Sequence, residues 1–143
     1  FLGPTLDDRI GAGLDAVRTA GSAAQPFEIT IGGAGTFPSD ARPRALWLGL
    51  RSGGEALATL AAAVDGALVE AGWPAEAKPF RAHLTLARAD GVPAGARVAA
   101  RLIQAAADLR IACQIDRIGL FESLTGGGPA RYEPIEMVHL GVV

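Results

Sequence analysis

Cysteine is almost missing from this sequence. Cys113 stands alone, which excludes an internal disulfide framework and any cysteine-rich zinc site. Histidine is nearly as scarce: only His83 and His139 can supply imidazole chemistry, so no multi-histidine metal site is expected. Lysine occurs once, at Lys78, leaving arginine as the basic residue; we attribute this to genomic base composition rather than to function. An excess of positive charge is lacking too. The formal net charge of -2 and a pI near 5.6 argue against a polybasic protein that grips duplex through many phosphates, but allow a local basic pocket. There is no initiator methionine, and the chain opens on Phe1-Leu2-Gly3.

Long apolar runs are lacking as well. The longest, at 56–69, is interrupted by Thr59, Asp65 and Gly66 and is too short to span a bilayer. Residues 1–25 hold acidic pairs where a secretory signal would need a basic stretch and an apolar run, so a cytoplasmic protein is expected. No repeat period and no low-complexity tail stand out. What remains is the composition of a folded chain: 143 residues, half of them hydrophobic and a fifth charged, enough for one compact domain or two small lobes.

Periodicity divides the chain into alternating elements. Asp7 and Asp8 precede Ile10, Leu14 and Val17 at helical spacing, which predicts a helix over 6–20, weakened by Gly11 and Gly13. Phe27-Glu28-Ile29-Thr30-Ile31 alternates as a half-buried strand, which Gly32-Gly33-Ala34-Gly35 is expected to break. Residues 38–43 read as a turn, and Ala45-Leu46-Trp47-Leu48-Gly49-Leu50 as a buried strand with Trp47 in the core. Ser52 with Glu55 forms a capping-box pattern ahead of a helix marked by Leu57, Leu60, Val64 and Leu68 and ended by Gly72 and Pro74. Further strands are predicted over 80–88, 111–120 and 132–142, with a helix after Pro93 running to about residue 107. The glycine run at 124–129 is neither G-x-G-x-x-G nor a Walker A motif. This order suggests an α+β domain whose antiparallel sheets are covered by helices on one side.

The chemically informative segment is Arg81-Ala82-His83-Leu84-Thr85-Leu86-Ala87-Arg88. On a regular strand Arg81, His83 and Thr85 share one face while Leu84 and Leu86 enter a core. An imidazole that moves protons near neutral pH then stands beside a hydroxyl and a guanidinium suited to phosphoryl oxygens. Ideal alternation puts Arg88 on the apolar face, so the strand must twist or end before it if Arg88 is to serve. The same His-x-Thr can also be the polar face of an ordinary sheet, and the residues alone leave both readings open.

The segment resembles the second signature of the 2H phosphoesterases, and more narrowly of the bacterial RNA 2',3'-cyclic phosphodiesterases, also called 2'-5' RNA ligases. The likeness extends over most of the chain. It takes in Phe37-Pro38, Arg42-Pro43-Arg44-Ala45-Leu46-Trp47-Leu48-Gly49, Phe121-Glu122-Ser123 and Arg131-Tyr132-Glu133-Pro134. It implies a bilobal, pseudo-twofold α+β fold with antiparallel sheets and helices packed on their outer faces, 1–143 forming a single 2H domain. The family's first His-x-Thr motif is closely followed by Phe-Leu-Gly. Phe1-Leu2-Gly3 therefore implies that this motif, with the first strand and helix, lies upstream of residue 1 and that the domain is N-terminally incomplete. His139 has no threonine two residues on and is read as structural.

The resemblance further implies metal-independent hydrolysis of RNA 2',3'-cyclic phosphate ends to 2'-phosphates, with reversible 2'-5' ligation as a related reaction and no cofactor. His83 would be the proton acceptor and the first-motif histidine the donor. Thr85 would hold a non-bridging oxygen and Arg88 would bind phosphate; Arg81 joins them on strand geometry. Phe37 and Tyr132 are candidates for stacking on a base, whereas Phe121 is read as core packing. The expected partners are RNA 3' ends or nucleotides with a 2',3'-cyclic phosphate; no membrane is expected, and the protein is expected to be a monomer. The alternatives are a phosphodiesterase for small cyclic nucleotides or cyclic sugar phosphates, and a non-catalytic module that binds RNA ends or nucleotides.

Overall fold

The structure of the protein is a computed structural model that describes residues 2–124, 126 and 130–142. Its elements in chain order are α1 (Asp7–Ala23), β1 (Phe27–Phe37), β2 (Ala45–Ser52), α2 (Gly54–Glu70), β3 (Leu84–Arg88), α3 (Gly95–Ala105), β4 (Ile111–Ile115), β5 (Arg117–Leu124) and β6 (Arg131–His139). The architecture is α+β, as expected. β1 with β2, β2 with β3, and β5 with β6 all pair antiparallel. The chain divides into two compact units. One takes the chain up to Pro26, Thr59–Pro79 and the chain from Ile115 onward; the other takes Phe27–Ala58 and Phe80–Gln114. Among the described residues, no helix is long and apolar enough to cross a membrane.

In the first unit α1 packs on the β5–β6 ribbon through small residues. Gly13, Ala16, Val17, Ala20 and Gly21 form its buried stripe. A side chain at Gly21 would run into Val138, so the glycine is what lets the helix approach β6. The Gly13 that weakens the helix by propensity faces Leu120 and Trp73 for the same reason. Arg18 binds both oxygens of Glu136 on β6, at 2.8 and 2.6 Å, and reaches Asp15 at 3.0 Å. At the other end of α1 the Arg9 guanidinium lies 4.0 Å over the buried Trp73 ring and donates to the Ala71 carbonyl. α2 ends as predicted at Gly72. Its positive φ of 89° lets the Trp73 amide reach the Leu68 carbonyl and its own amide reach Val69, both at 2.9 Å.

In the second unit a four-stranded sheet has the order β3-β2-β1-β4. α3 covers one face, where Leu46, Ala89 and Ala99 form a buried cluster joined by Leu102.

Several expectations need correction. Gly32 and Gly33 do not end β1. They form a bulge between the pairs Ile31–Leu50 and Ala34–Leu48, with Gly33 at φ 70°, and the ladder resumes as far as Phe37. α2 begins at Gly54, so Ser52 remains in β2 and does not cap the helix. The run at 111–120 is two strands, because β4 joins the four-stranded sheet while β5 pairs with β6. The glycine run at 124–129 lies mostly outside the described residues, as does Phe1.

Candidate active site on the four-stranded sheet

Strand β3 is shorter than predicted, and its start decides how His83 is held. It begins at Leu84, so residues 80–83 lie outside the ladder. The His83 Nδ1 lies 2.6 Å from the Arg81 carbonyl two residues back. The alternation argument that aligned Arg81 with His83 therefore fails, and Arg81 contributes its carbonyl to this contact. A carbonyl only accepts, so Nδ1 carries the proton in this bond, and Nε2 is the nitrogen at which the neutral ring can take up another. His83 is exposed.

The register of β3 on β2 then decides which residues accompany it. Leu48 opposes Leu84 and Trp47 opposes Thr85, but Leu46 opposes Ala87 and Ala45 opposes Arg88. One step on β2 matches two on β3, so Leu86 is the extra residue of a bulge. Past it the alternation is reversed. Thr85 and Arg88 stand on the face of Trp47 and Ala45, while Leu84 and Ala87 stand on the face of Leu46 and Leu48. Leu84 and Leu86 do not enter a core as expected: they are 49% and 50% exposed. β3 is an edge strand, and the core under α3 gathers Leu46 and Ala89 instead.

Across three strands the face opposite the α3 core carries two rows, Phe37–Ala45–Arg88 and Gly35–Trp47–Thr85. The row ends are tied by Arg44. Its amide donates to the Phe37 carbonyl at 2.7 Å, its carbonyl accepts from the Ala89 amide at 3.0 Å, and its guanidinium pairs with Asp90 at 2.7 Å. Trp47 is not in the α3 core, contrary to expectation. Its indole leans over Gly35, where a side chain would collide with it, and reaches Gly49. Thr85, opposite Trp47, is exposed. Phe37 lies edge-on to His83 with ring centroids 5.1 Å apart at 90°; Trp47 lies 5.1 Å from Phe37 and 6.3 Å from His83.

The sequence reading missed Trp47, and the signal was available. Leu46, Leu48 and Leu50 alternate with Ala45, Trp47 and Gly49, so a strand buried on one face alone would separate them.

This unit thus brings His83, Thr85, Arg88 and Phe37 to one sheet face. Tyr132 belongs to the other unit, on β6 opposite Ser123, and is 66% exposed. Phe121 corrects another expectation. It is 47% exposed rather than core, because α1 covers the face of Leu120 and Val138, while Phe121 and Met137 flank Gly119 on the other. His139 closes β6 opposite Arg117 and is exposed.

With this geometry in hand, comparison with known proteins identifies the family. The model of the 2'-5' RNA ligase superfamily matches residues 2–127. The chain belongs to that superfamily. A curated relative, the RNA 2',3'-cyclic phosphodiesterase of Methanothermobacter thermautotrophicus, is 30% identical over 142 residues, covering 98% of this chain and 75% of the relative. The protein of the same name from Archaeoglobus fulgidus is 42% identical over 64 residues, 45% of this chain. The matched stretches span 35% of that relative and 42% of the Aeropyrum pernix one. Among solved structures, TT0787 of Thermus thermophilus superposes with a TM-score of 0.77 at 21% identity, over 99% of this chain and 75% of that one. E. coli LigT does so at 0.70 and 23%, over 98% and 73%. The fold of this superfamily member is therefore the LigT-type 2H phosphoesterase fold.

Proposed function

We propose that this protein hydrolyses RNA ends bearing a 2',3'-cyclic phosphate to 2'-phosphates. The observation that carries the reading is the bulge at Leu86, which puts Arg88 on the face of Thr85, with the His83 ring packed against Phe37 and Trp47 of that face. Membership of the superfamily and relatives named RNA 2',3'-cyclic phosphodiesterase support it.

The chemistry follows from the groups. His83 Nε2 accepts a proton from water as the water oxygen bonds to phosphorus. The bond from phosphorus to the 3'-oxygen breaks, and that oxygen takes a proton from an acid on the opposite side. The resemblance gives the acid's role to the histidine of the family's first motif. Thr85 donates to a non-bridging oxygen and Arg88 offsets its charge as it grows in the transition state. Arg81 adds a cation nearby in sequence, and the exposed Tyr132 ring is suited to stacking on a base. Joining of ends through a 2'-5' linkage uses the same groups. No step runs through a metal.

The test is His83→Ala in the full-length protein, assayed on an oligonucleotide with a 2',3'-cyclic end and on a mononucleotide cyclic phosphate, with and without EDTA. General-base removal is expected to cost about 100- to 10,000-fold in turnover. The thermal midpoint should hold, since His83 is exposed. Unchanged turnover would refute the assignment of His83. Loss of activity in EDTA would refute the metal-free route, and preference for the mononucleotide would move the substrate away from RNA ends.

A further inference from the structure

Phe37 and Trp47 have no chemical task in the reaction above, yet both rings pack against His83. Among the described residues, little else holds His83. It lies outside the β3 ladder, is exposed, and among the described residues makes one hydrogen bond, from Nδ1 to the Arg81 carbonyl. One bond at one nitrogen sets the tautomer but leaves the imidazole free to swing about that contact. The second constraint is aromatic.

We propose that Phe37 and Trp47 are positioning residues for His83: the two rings wall the imidazole on its sheet side and hold it in one orientation. The proposal rests on the reading of His83 as the proton acceptor. Three features support it. Phe37 meets His83 edge-on at 5.1 Å, an arrangement that aromatic pairs favour. Trp47 touches both Phe37 and His83, so the three rings form one cluster rather than two separate contacts. The indole has a seat prepared for it, because Gly35 directly opposite carries no side chain and Gly49 lies beneath its far edge. The buried Trp47 Nε1 finds no hydrogen-bond partner among the described residues, so the indole contributes ring surface at this position, not a hydrogen bond. This assigns Phe37 to the histidine instead of to a substrate base, and the two roles differ in what they change. A stacking residue acts on binding, whereas a positioning residue acts on the proton-transfer step.

The experiment is Phe37→Leu in the full-length protein, with Phe37→Tyr as the conservative variant that keeps the ring. Two readouts are taken: steady-state kinetics, and long-range 1H–15N NMR of the His83 imidazole. The expected result is a fall in kcat of about 10- to 100-fold with KM nearly unchanged, as a misplaced catalytic group gives. In the spectra His83 should lose its single Nδ1–H signature and average between tautomers. Phe37→Tyr should restore both. Trp47→Phe, which withdraws the second indole ring, should act in the same direction and replaces Phe37→Leu if that variant does not fold. A raised KM with unchanged kcat would overturn the proposal in favour of base stacking, and unchanged kcat with an unchanged NMR signature would overturn it outright. Unchanged turnover in His83→Ala would instead sink the assignment of the base, while the NMR readout still judges what the rings do to the imidazole.

Discussion

Thr85 and Arg88 are three residues apart in the chain, yet they occupy the same face of β3. An undisturbed strand would set them on opposite faces. Leu86 makes the difference, because it is the residue that β2 does not match. The hydroxyl and the guanidinium are thereby presented on one side of an exposed edge strand, together with the ring cluster that holds His83.

Loss of either group should weaken catalysis. A hydrogen bond to a charged group contributes about 1.5–3 kcal/mol, so Thr85→Val and Arg88→Ala are each expected to lower kcat/KM by about 10- to 100-fold. Arg88→Lys should recover only part, since lysine cannot offer a planar fork. Ala87, between them but on the other face, serves as the comparison, and Ala87→Ser should leave kcat/KM within about twofold. Equal losses at Ala87 and Arg88 would show that the register does not govern the site.

Two glycines of the same face should respond in opposite ways. Gly35 lies under the Trp47 indole with no room for a methyl group, whereas at Gly49 a Cβ would meet that ring at an ordinary 3.4 Å. Forcing a group into a filled space costs about 1–3 kcal/mol, and Gly35→Ala should lower the urea midpoint accordingly. Gly49→Ala should leave stability unchanged or raise it slightly, through a less flexible unfolded chain. Matching urea midpoints for the two variants would mean that the indole is not seated on Gly35.

Stability should also depend on acid through α1 and β6. The hydrogen bond from Arg18 holds the Glu136 carboxyl below the ordinary glutamate value, with the guanidinium charge adding to it against partial burial. A carboxylate whose folded pKa is depressed stabilises the fold fully above its unfolded pKa. That contribution is lost as pH falls through the depressed value. Wild type should therefore exceed Glu136→Gln in stability at neutral pH, and the gap should close on the acid side of the ordinary glutamate range. Urea titrations at a series of pH values read this directly. A gap that persists at the acid end would assign the difference to packing rather than to the ion pair.

Much of this was legible in the chain itself. The α+β order, the α2 terminus at Gly72 and the His83-x-Thr85 spacing all follow from local patterns, because turn chemistry and side-chain alternation act over a few residues. The errors share one cause. Gly32-Gly33 looked like a strand end, but β2 continues past it and takes up the extra residue as a bulge. The run at 111–120 looked like one strand, since nothing local shows that β4 and β5 join different sheets.

The sequence by itself determined that an imidazole and a hydroxyl stand two residues apart beside a strand, with arginines on either side and one face of the neighbouring strand apolar. Only the tertiary structure decided that Arg88 joins them, that Arg81 contributes its carbonyl to His83, and that Trp47 lies with His83 instead of under α3. The reason is physical. Alternation is a property of one segment, whereas register and the choice of covered face are relations between segments far apart in the chain, and they exist only once the strands have paired and a helix has taken one side.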